Sequence, residues 1–314
     1  MDMQDKHNQS KTAKKTMGFL ISHKENEKRR ALLPQDIAGI QNKSELYFEV
    51  GYGDVLGIDD KEYTDLGCHI CSRKEALAQS ILCEPKIGES EIIHDLAVGQ
   101  DVFGWMHKVA NGKNFKIANK QHNLQYAWEN MREDNRHCFW RNNELAGEAA
   151  VVDAFMNVGK LPHGCNVAVL GRGSTAQGAV RILTGLGADV TIYSRTQEAL
   201  FKKEFAQYDV IVNAIIWDGN RCDHIIHRSD LKSLKKHALI IDISCDENGA
   251  IETSVPTTMD NPIFKVDGIT HYVVDHTPSI LYHTSSEAIS LEVSKYIDDL
   301  IESNENDVLC GSLV

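Results

Sequence analysis

The sequence has no uninterrupted apolar stretch of about 18 residues, the length a bilayer-crossing helix needs. Its first residues lack the apolar core of a secretory signal. Positive charge is also scarce: 33 Lys and Arg stand against 45 Asp and Glu, a formal net charge of −12. Nucleic-acid binding draws on basic surface for its phosphate contacts, so neither a nucleic acid nor a membrane is expected as a partner. Prolines are few, six in 314 residues, and none of the 14 histidines forms an HExxH. Of eight cysteines only Cys68 and Cys71 are close, with no second CxxC to complete a zinc site. The expectation is no metal, and reduced thiols in a cytoplasmic protein. What is present is the composition of a soluble globular protein, 42% hydrophobic and 25% charged, in a chain long enough for two domains.

Apolar runs and their punctuation divide the chain. Residues 1–16 are polar and have little apolar area to offset ordering, so they are expected to be a disordered extension. Strands are expected at 18–21, 45–50, 80–83, 101–105, 114–118 and 124–128. Helices are expected from Pro34 through Ile40 and around Tyr63 and Leu66. Residues 144–158 are helical by composition and period, and Gly159, Pro162 and Gly164 end that helix. A second alternating set follows, with strands at 166–170, 189–193, 210–214, 239–242 and 271–274, and an amphipathic closing helix at 285–301. A closing helix of this kind packs back on the first domain and makes it discontinuous. The reading is an α/β protein of two Rossmann-like domains with an active-site cleft between them. Residues 17–150 plus 276–303 form the substrate domain, 151–275 bind the cofactor, and 304–314 are a loose tail.

The run Asn166-Val167-Ala168-Val169-Leu170-Gly171-Arg172-Gly173-Ser174-Thr175-Ala176 places a glycine loop between an apolar strand and a helix. Gly171 permits the tight turn, Gly173 lets the backbone approach a pyrophosphate, and Ala176 is small enough for close helix–strand packing. The free N–H groups at Ser174 and Thr175 then face phosphate. Arg172 either faces phosphate as well or is an exposed loop arginine. The next strand ends at Ser194 and Arg195, where NAD-preferring folds carry an acid on the ribose. Serine removes a repulsion and arginine supplies a forked cation, so NADP(H) is expected as the cofactor rather than NAD.

Residues 17–301 as a whole resemble the alanine dehydrogenase family. The likeness is carried by KRRALLP, a short strand ending in Glu-Pro, Trp-x-His, the glycine loop and IDISCDENGAIETSVPTTMDNP. Further segments (CEPKIGE, YAWE, FWRNNELAGEAA, VNAIIWD, YVVDHTP) are similar to the branch that reductively joins pyruvate to the side-chain amine of ornithine. The resemblance implies an NADP-dependent oxidoreductase on CH–NH donors, making N5-(1-carboxyethyl)ornithine from pyruvate and ornithine, or using lysine, and assembled as a homotetramer. It implies Arg29 on the substrate carboxylate, His107 managing protons beside the transferred hydride, and Asp246 on the nicotinamide-side loop. Histidine suits that task because its unperturbed pKa is about 6.5.

Two departures matter. Where alanine dehydrogenase has a lysine before Glu-Pro this chain has Cys83, and either Lys86 takes over as cation or it is a solvated loop lysine. His276 replaces an asparagine and is expected near the nicotinamide or substrate. Glu144 and Glu148 are candidates for a diamino acid's ammonium, although Glu144 also suits a helix first turn; Trp140, Arg141 and Asn142 are candidates to line the same cleft. Other readings are an alanine or saccharopine-type dehydrogenase and, lower, a non-catalytic NADPH-binding regulator.

Overall fold

The computed structural model describes residues 14–107, 123–246 and 248–314. Two compact units account for them. One comprises the chain up to Glu25, Arg30–Cys138 and Ile289–Val314; the other comprises Asn26–Arg29 and Phe139–Ala288. The N-terminal unit is thus discontinuous. The long helix lies whole in the second unit, and the chain re-enters the first at Ile289 rather than 276.

In the first unit six short strands, β1 (Met17–Phe19), β2 (Leu46–Glu49), β3 (His69–Cys71), β4 (Ile81–Cys83), β5 (Asp101–Gly104) and β6 (Gln125–Ala127), form an all-parallel sheet in the order 3-2-1-4-5-6. Parallel strands buried on both faces need runs of apolar residues rather than alternation, and β1, β4 and β5 are buried throughout. Phe19 stacks on Phe48 with ring centroids 4.6 Å apart, and Tyr52 and Tyr63 pack edge-on around them. Three single-turn helices, α1 (Pro34–Ile37), α2 (Asp60–Thr64) and α3 (Arg73–Ala76), join the strands. Proline supplies the first turn of α1, but the helix ends three residues before Ile40. Strand β3 and helix α3 escaped the sequence reading because three or four residues carry little periodicity. A two-residue hairpin, β7 (Arg132–Glu133) and β8 (Arg136–His137), follows β6. The strand expected at 114–118 lies outside the described residues, as do residues 1–13 of the expected extension.

The second unit opens with α4 (Trp140–Asn157) and builds a sheet from β9 (Asn166–Leu170), β10 (Asp189–Tyr193), β11 (Val210–Asn213), β12 (Leu239–Asp242), β13 (Ile263–Val266) and β14 (Ile269–Tyr272), with α5 (Ser174–Gly185) after β9 and α6 (Glu198–Glu204) after β10. Its order is 10-9-11-12-14-13, parallel except for β13. Alternate side chains of one strand serve opposite faces: Val167, Val169 and Val212 join the core that includes Ala150 and Phe155 of α4, whereas Ala168, Leu170 and Ile211 join the core around Phe201.

The closing amphipathic stretch is two helices, α7 (Tyr282–Val293) and α8 (Ile297–Glu302), separated by a turn. Residues 304–314 are not a loose tail. Asn306 accepts from the N–H groups of Val308 and Leu309 and caps α9 (Asp307–Ser312), Leu309 is buried, and Val314 N donates to Gln125 O at 3.2 Å. One capped turn with a single buried leucine suffices to anchor a segment whose composition reads as polar.

Candidate active site

Ligands of open parallel sheets sit beyond the carboxyl ends of the strands, where the strand order reverses. In the first sheet that reversal lies between β1 and β4. The chain after β4 runs Cys83-Glu84-Pro85-Lys86, and the lysine is 4% exposed. Lys86 Nζ donates to Glu89 Oε1 at 2.7 Å and lies 3.4 Å from His107 Nε2. His107 Nδ1 is 3.8 Å from the same carboxylate oxygen, and Lys24, after β1, pairs with the other oxygen. Burial alone would raise the Glu89 carboxyl, but the charges of Lys86, His107 and Lys24 outweigh it and hold it at about 2. Glu89 is therefore an anion through the whole working range, binding two ammonium groups and steering the imidazole. His107 has φ +47°, a left-handed conformation that non-glycine residues adopt at a cost of about 1–3 kcal/mol. A cavity of about 790 Å³ opens beside Lys24, Lys86 and Glu89, with Glu84, Glu91 and Asp95 also in its wall.

Cys83 is fully buried, paired in register with Phe19 and Phe103, and burial followed by the nearby Glu84 charge pushes its thiol well up. It is a neutral core side chain. The cation beside the histidine comes from Lys86, three positions on.

In the second unit Arg29 is 2% exposed and its guanidinium is held by Glu27, with Nε donating to Oε1 at 2.8 Å. Its Nη1 donates to Asn142 Oδ1 at 3.1 Å, so two sequence candidates meet. The segment 26–29 is tied down by Ser279, whose hydroxyl accepts from Lys28 N and donates to Asn26 O. His276 is buried and pairs with Asp275, and the next residue, Thr277, donates to Ala146 O of α4 at 2.9 Å. Trp140 is half-buried two positions before Asn142, a spacing that turns two side chains to different sides of a helix.

Glu144 and Glu148, candidates for a substrate ammonium, already hold two cations of the chain. Arg141 Nη1 donates to Glu144 Oε2 and Glu148 Oε1, both at 2.8 Å, and its Nη2 to Glu148 Oε2 at 3.1 Å; Arg181 of α5 reaches Glu144 Oε1 at 3.1 Å and Glu148 Oε1. All four carboxylate oxygens are committed to two arginines, which a substrate ammonium would have to displace. The pair instead locks α4 to α5. A Cβ on Gly147 would lie 2.0 Å from Thr175 O, and one on Gly178 1.9 Å from Glu144 O, so the two helices touch backbone to backbone.

At the second sheet's reversal, between β9 and β11, Gly171 has φ +118° and a Cβ there would lie 2.6 Å from Ala214 O, so only glycine fits. Gly173 faces open space, and it N-caps α5 without a side-chain hydrogen bond, leaving the N–H groups at Ser174 and Thr175 available to phosphate. Ala176 is buried in the core beneath. Ser194 N donates to Gln197 Oε1 at 3.0 Å, Arg172 Nη2 reaches the same oxygen at 3.4 Å, and Arg195 Nη2 donates to Ile216 O at 3.1 Å. Ser194, Arg195 and Trp217 line a cavity of about 180 Å³, and Arg221 lies over the Trp217 ring at 4.3 Å. These features fit an adenine dinucleotide.

Asp246 accepts from Trp217 N at 3.2 Å, and burial first, then the Asp242 charge, carries its carboxyl up to about 6. Asp242 is itself fully buried and raised by burial, and it accepts from Asn213 Nδ2 at 2.8 Å. The sequence reading missed Glu27, Lys24, Glu89 and Arg181, and it placed Arg141 in the cleft without its carboxylate partners. Glu89 was within reach, three residues from Lys86 in CEPKIGE, as was the 141/144/148 spacing of one helix face.

The alanine dehydrogenase/PNT C-terminal domain matches residues 193–311. N(5)-(carboxyethyl)ornithine synthase of Lactococcus lactis subsp. lactis is 34% identical over 300 residues, covering 90% of this chain and 94% of that one. The Clostridium botulinum protein of the same name is 34% identical over 307 residues, 90% and 93%. Alanine dehydrogenase of Halomonas elongata is 24% identical over 306 residues, 85% and 82%. Among solved structures an L-alanine dehydrogenase superposes with a TM-score of 0.77 at 20% identity, covering 95% of this chain and 94% of that one. The transhydrogenase from Sinorhizobium meliloti gives 0.78 at 17%, covering 95% and 96%. The two structures establish the fold, and the whole-length synthase match establishes more: the chain belongs to the N(5)-(carboxyethyl)ornithine synthase family, among the NAD(P)-dependent alanine dehydrogenase/PNT oxidoreductases.

Proposed function

We propose that the chain carries out the NADPH-dependent reductive condensation of pyruvate with the side-chain amine of L-ornithine, giving N5-(1-carboxyethyl)ornithine, NADP⁺ and water. The observation that carries this reading is the 34% identity over 90% of the chain to proteins of that name. The relocated cation supports it: a buried thiol at Cys83 and an ammonium at Lys86 reshape the substrate pocket relative to alanine chemistry.

The nicotinamide cofactor supplies two electrons and a hydrogen to the imine carbon. Gly171, Gly173 and the first N–H groups of α5 would hold its pyrophosphate, and Ser194 and Arg195 would favour a 2′-phosphate over a bare ribose. Arg29, fixed by Glu27 and Asn142, takes the pyruvate carboxylate. Lys86 draws charge from the keto oxygen while the neutral amine adds to the carbon. His107 then delivers the proton on which water leaves the carbinolamine. Glu89 positions both cations and stays ionised throughout. The test is NADPH oxidation with pyruvate plus ornithine, lysine or ammonia. Turnover with ornithine and not with ammonia is the expected result; full turnover with ammonia alone would make the protein an alanine dehydrogenase.

A further inference from the structure

The cofactor of an open α/β sheet uses the carboxyl ends of the strands. At the opposite, amino ends of β11 and β12 the second unit has another cavity, of about 450 Å³, larger than the 180 Å³ beside β10. That size lies within the roughly 300–1,000 Å³ of small-molecule sites. Its floor is apolar: Phe155 and Val158 at the end of α4, Val210, Leu239 and Ile263. Its rim is cationic, with Lys160, Lys235, Lys236 and Lys265 beside His237, and the one acid in the lining is Asp209.

That acid does not cancel the rim. Asp209 Oδ1 accepts from Lys235 Nζ at 2.8 Å and Oδ2 from Asn166 N at 2.9 Å. Lys160, Lys236 and Lys265 remain as three exposed ammonium groups around one apolar floor, in a chain whose net charge is −12. Two of the rim lysines are set by a tight turn: Ala238 N donates to Lys235 O at 3.0 Å, and His237 takes φ +68°, a left-handed conformation rare for a non-glycine residue. Lys265 comes from the antiparallel strand β13. Like charges gathered from three separate segments give this rim a positive local potential that attracts anions.

We propose that this cavity binds a small organic polyanion, two or three carboxylates on an aromatic or otherwise apolar body. Ammonium groups supply the charge without the forked geometry that guanidinium imposes, and the floor takes the body. The proposal does not depend on which amine the enzyme uses.

The test is calorimetry on the full chain saturated with NADP⁺, so that the cofactor site is filled. The probes are benzene-1,3,5-tricarboxylate, pyrophosphate of similar charge, and benzoate. The tricarboxylate should bind one per chain, at least tenfold tighter than pyrophosphate or benzoate, and weaken as salt rises. The triple variant K160A/K236A/K265A, all exposed side chains, should lose at least tenfold in affinity while its thermal midpoint and NADPH turnover stay unchanged. No heat at millimolar tricarboxylate, equal binding by the triple variant, or tighter binding of pyrophosphate would each overturn the proposal.

Discussion

Each of the two sheets reverses its strand order beside its first strand, and they place opposite chemistry at that reversal. After β1 and β4 the first presents charge: Lys24, Lys86 and Glu89, with His107 after β5. After β9 and β11 the second presents bare peptide, Gly171 against Ala214 and the open N-terminus of α5. Topology chooses the location of a site, and the three or four residues after each strand choose what it does there. In the proposed reaction the charges would act on the carbonyl, and the uncapped N–H groups would hold the phosphate chain.

That contrast can be broken by substitutions that should act on one side alone. The largest effect is expected from His107→Ala or Lys86→Ala, each lowering kcat by about 100- to 10,000-fold while NADPH affinity, read by fluorescence, is unchanged. Lost NADPH affinity in either variant would erase the division of labour. Next, Arg195→Asp should reduce kcat/KM with NADPH by about 10- to 100-fold, the range of one charged hydrogen bond, and with NADH far less; equal losses would remove the case for a 2′-phosphate contact. Glu148→Gln should lower stability by about 1–3 kcal/mol and leave the KM for ornithine alone, whereas a raised KM would return that residue to substrate binding.

The smallest effect concerns Asp246. Its folded-state value, about 6, lies above its ordinary 3.8. Protonation therefore favours the folded state fully below 3.8, and the contribution is lost as pH rises through 6. Asp246→Asn, which cannot ionise, should gain in thermal midpoint relative to the parent as pH rises from about 5 to about 8, as scanning calorimetry at the two pH values would record.

Much of the second unit was legible because its central strands are apolar runs: the expected strand at 239–242 coincides with β12 and that at 166–170 with β9. The glycine loop was legible because a positive φ and a close carbonyl demand one residue type. The charged partners were less so. Arg181 meets Glu144 across 37 positions of sequence, and Lys24 meets Glu89 across 65. Such pairings follow from tertiary packing, which spacing along a chain does not encode. The partners of Glu144 and Glu148 stayed hidden for that reason, since a carboxylate with its arginine out of sight looks available. The tail misled for another: α9 is held by one cap and one leucine.

The glycine contact between α4 and α5 has a thermodynamic consequence. With peptide resting on peptide at Gly147 and Gly178, no side chain stands between the helices to absorb a displacement. The start of α5 is where phosphates would dock, and α4 carries the Asn142 that grips Arg29. Any adjustment of α5 on loading the cofactor would then pass to the arginine, and if Arg29 holds the oxo acid, reciprocity requires each ligand to alter the other's affinity by the same factor. Beside the direct contact that hydride transfer requires, the two ligands would then report on each other through a seam of two hydrogens.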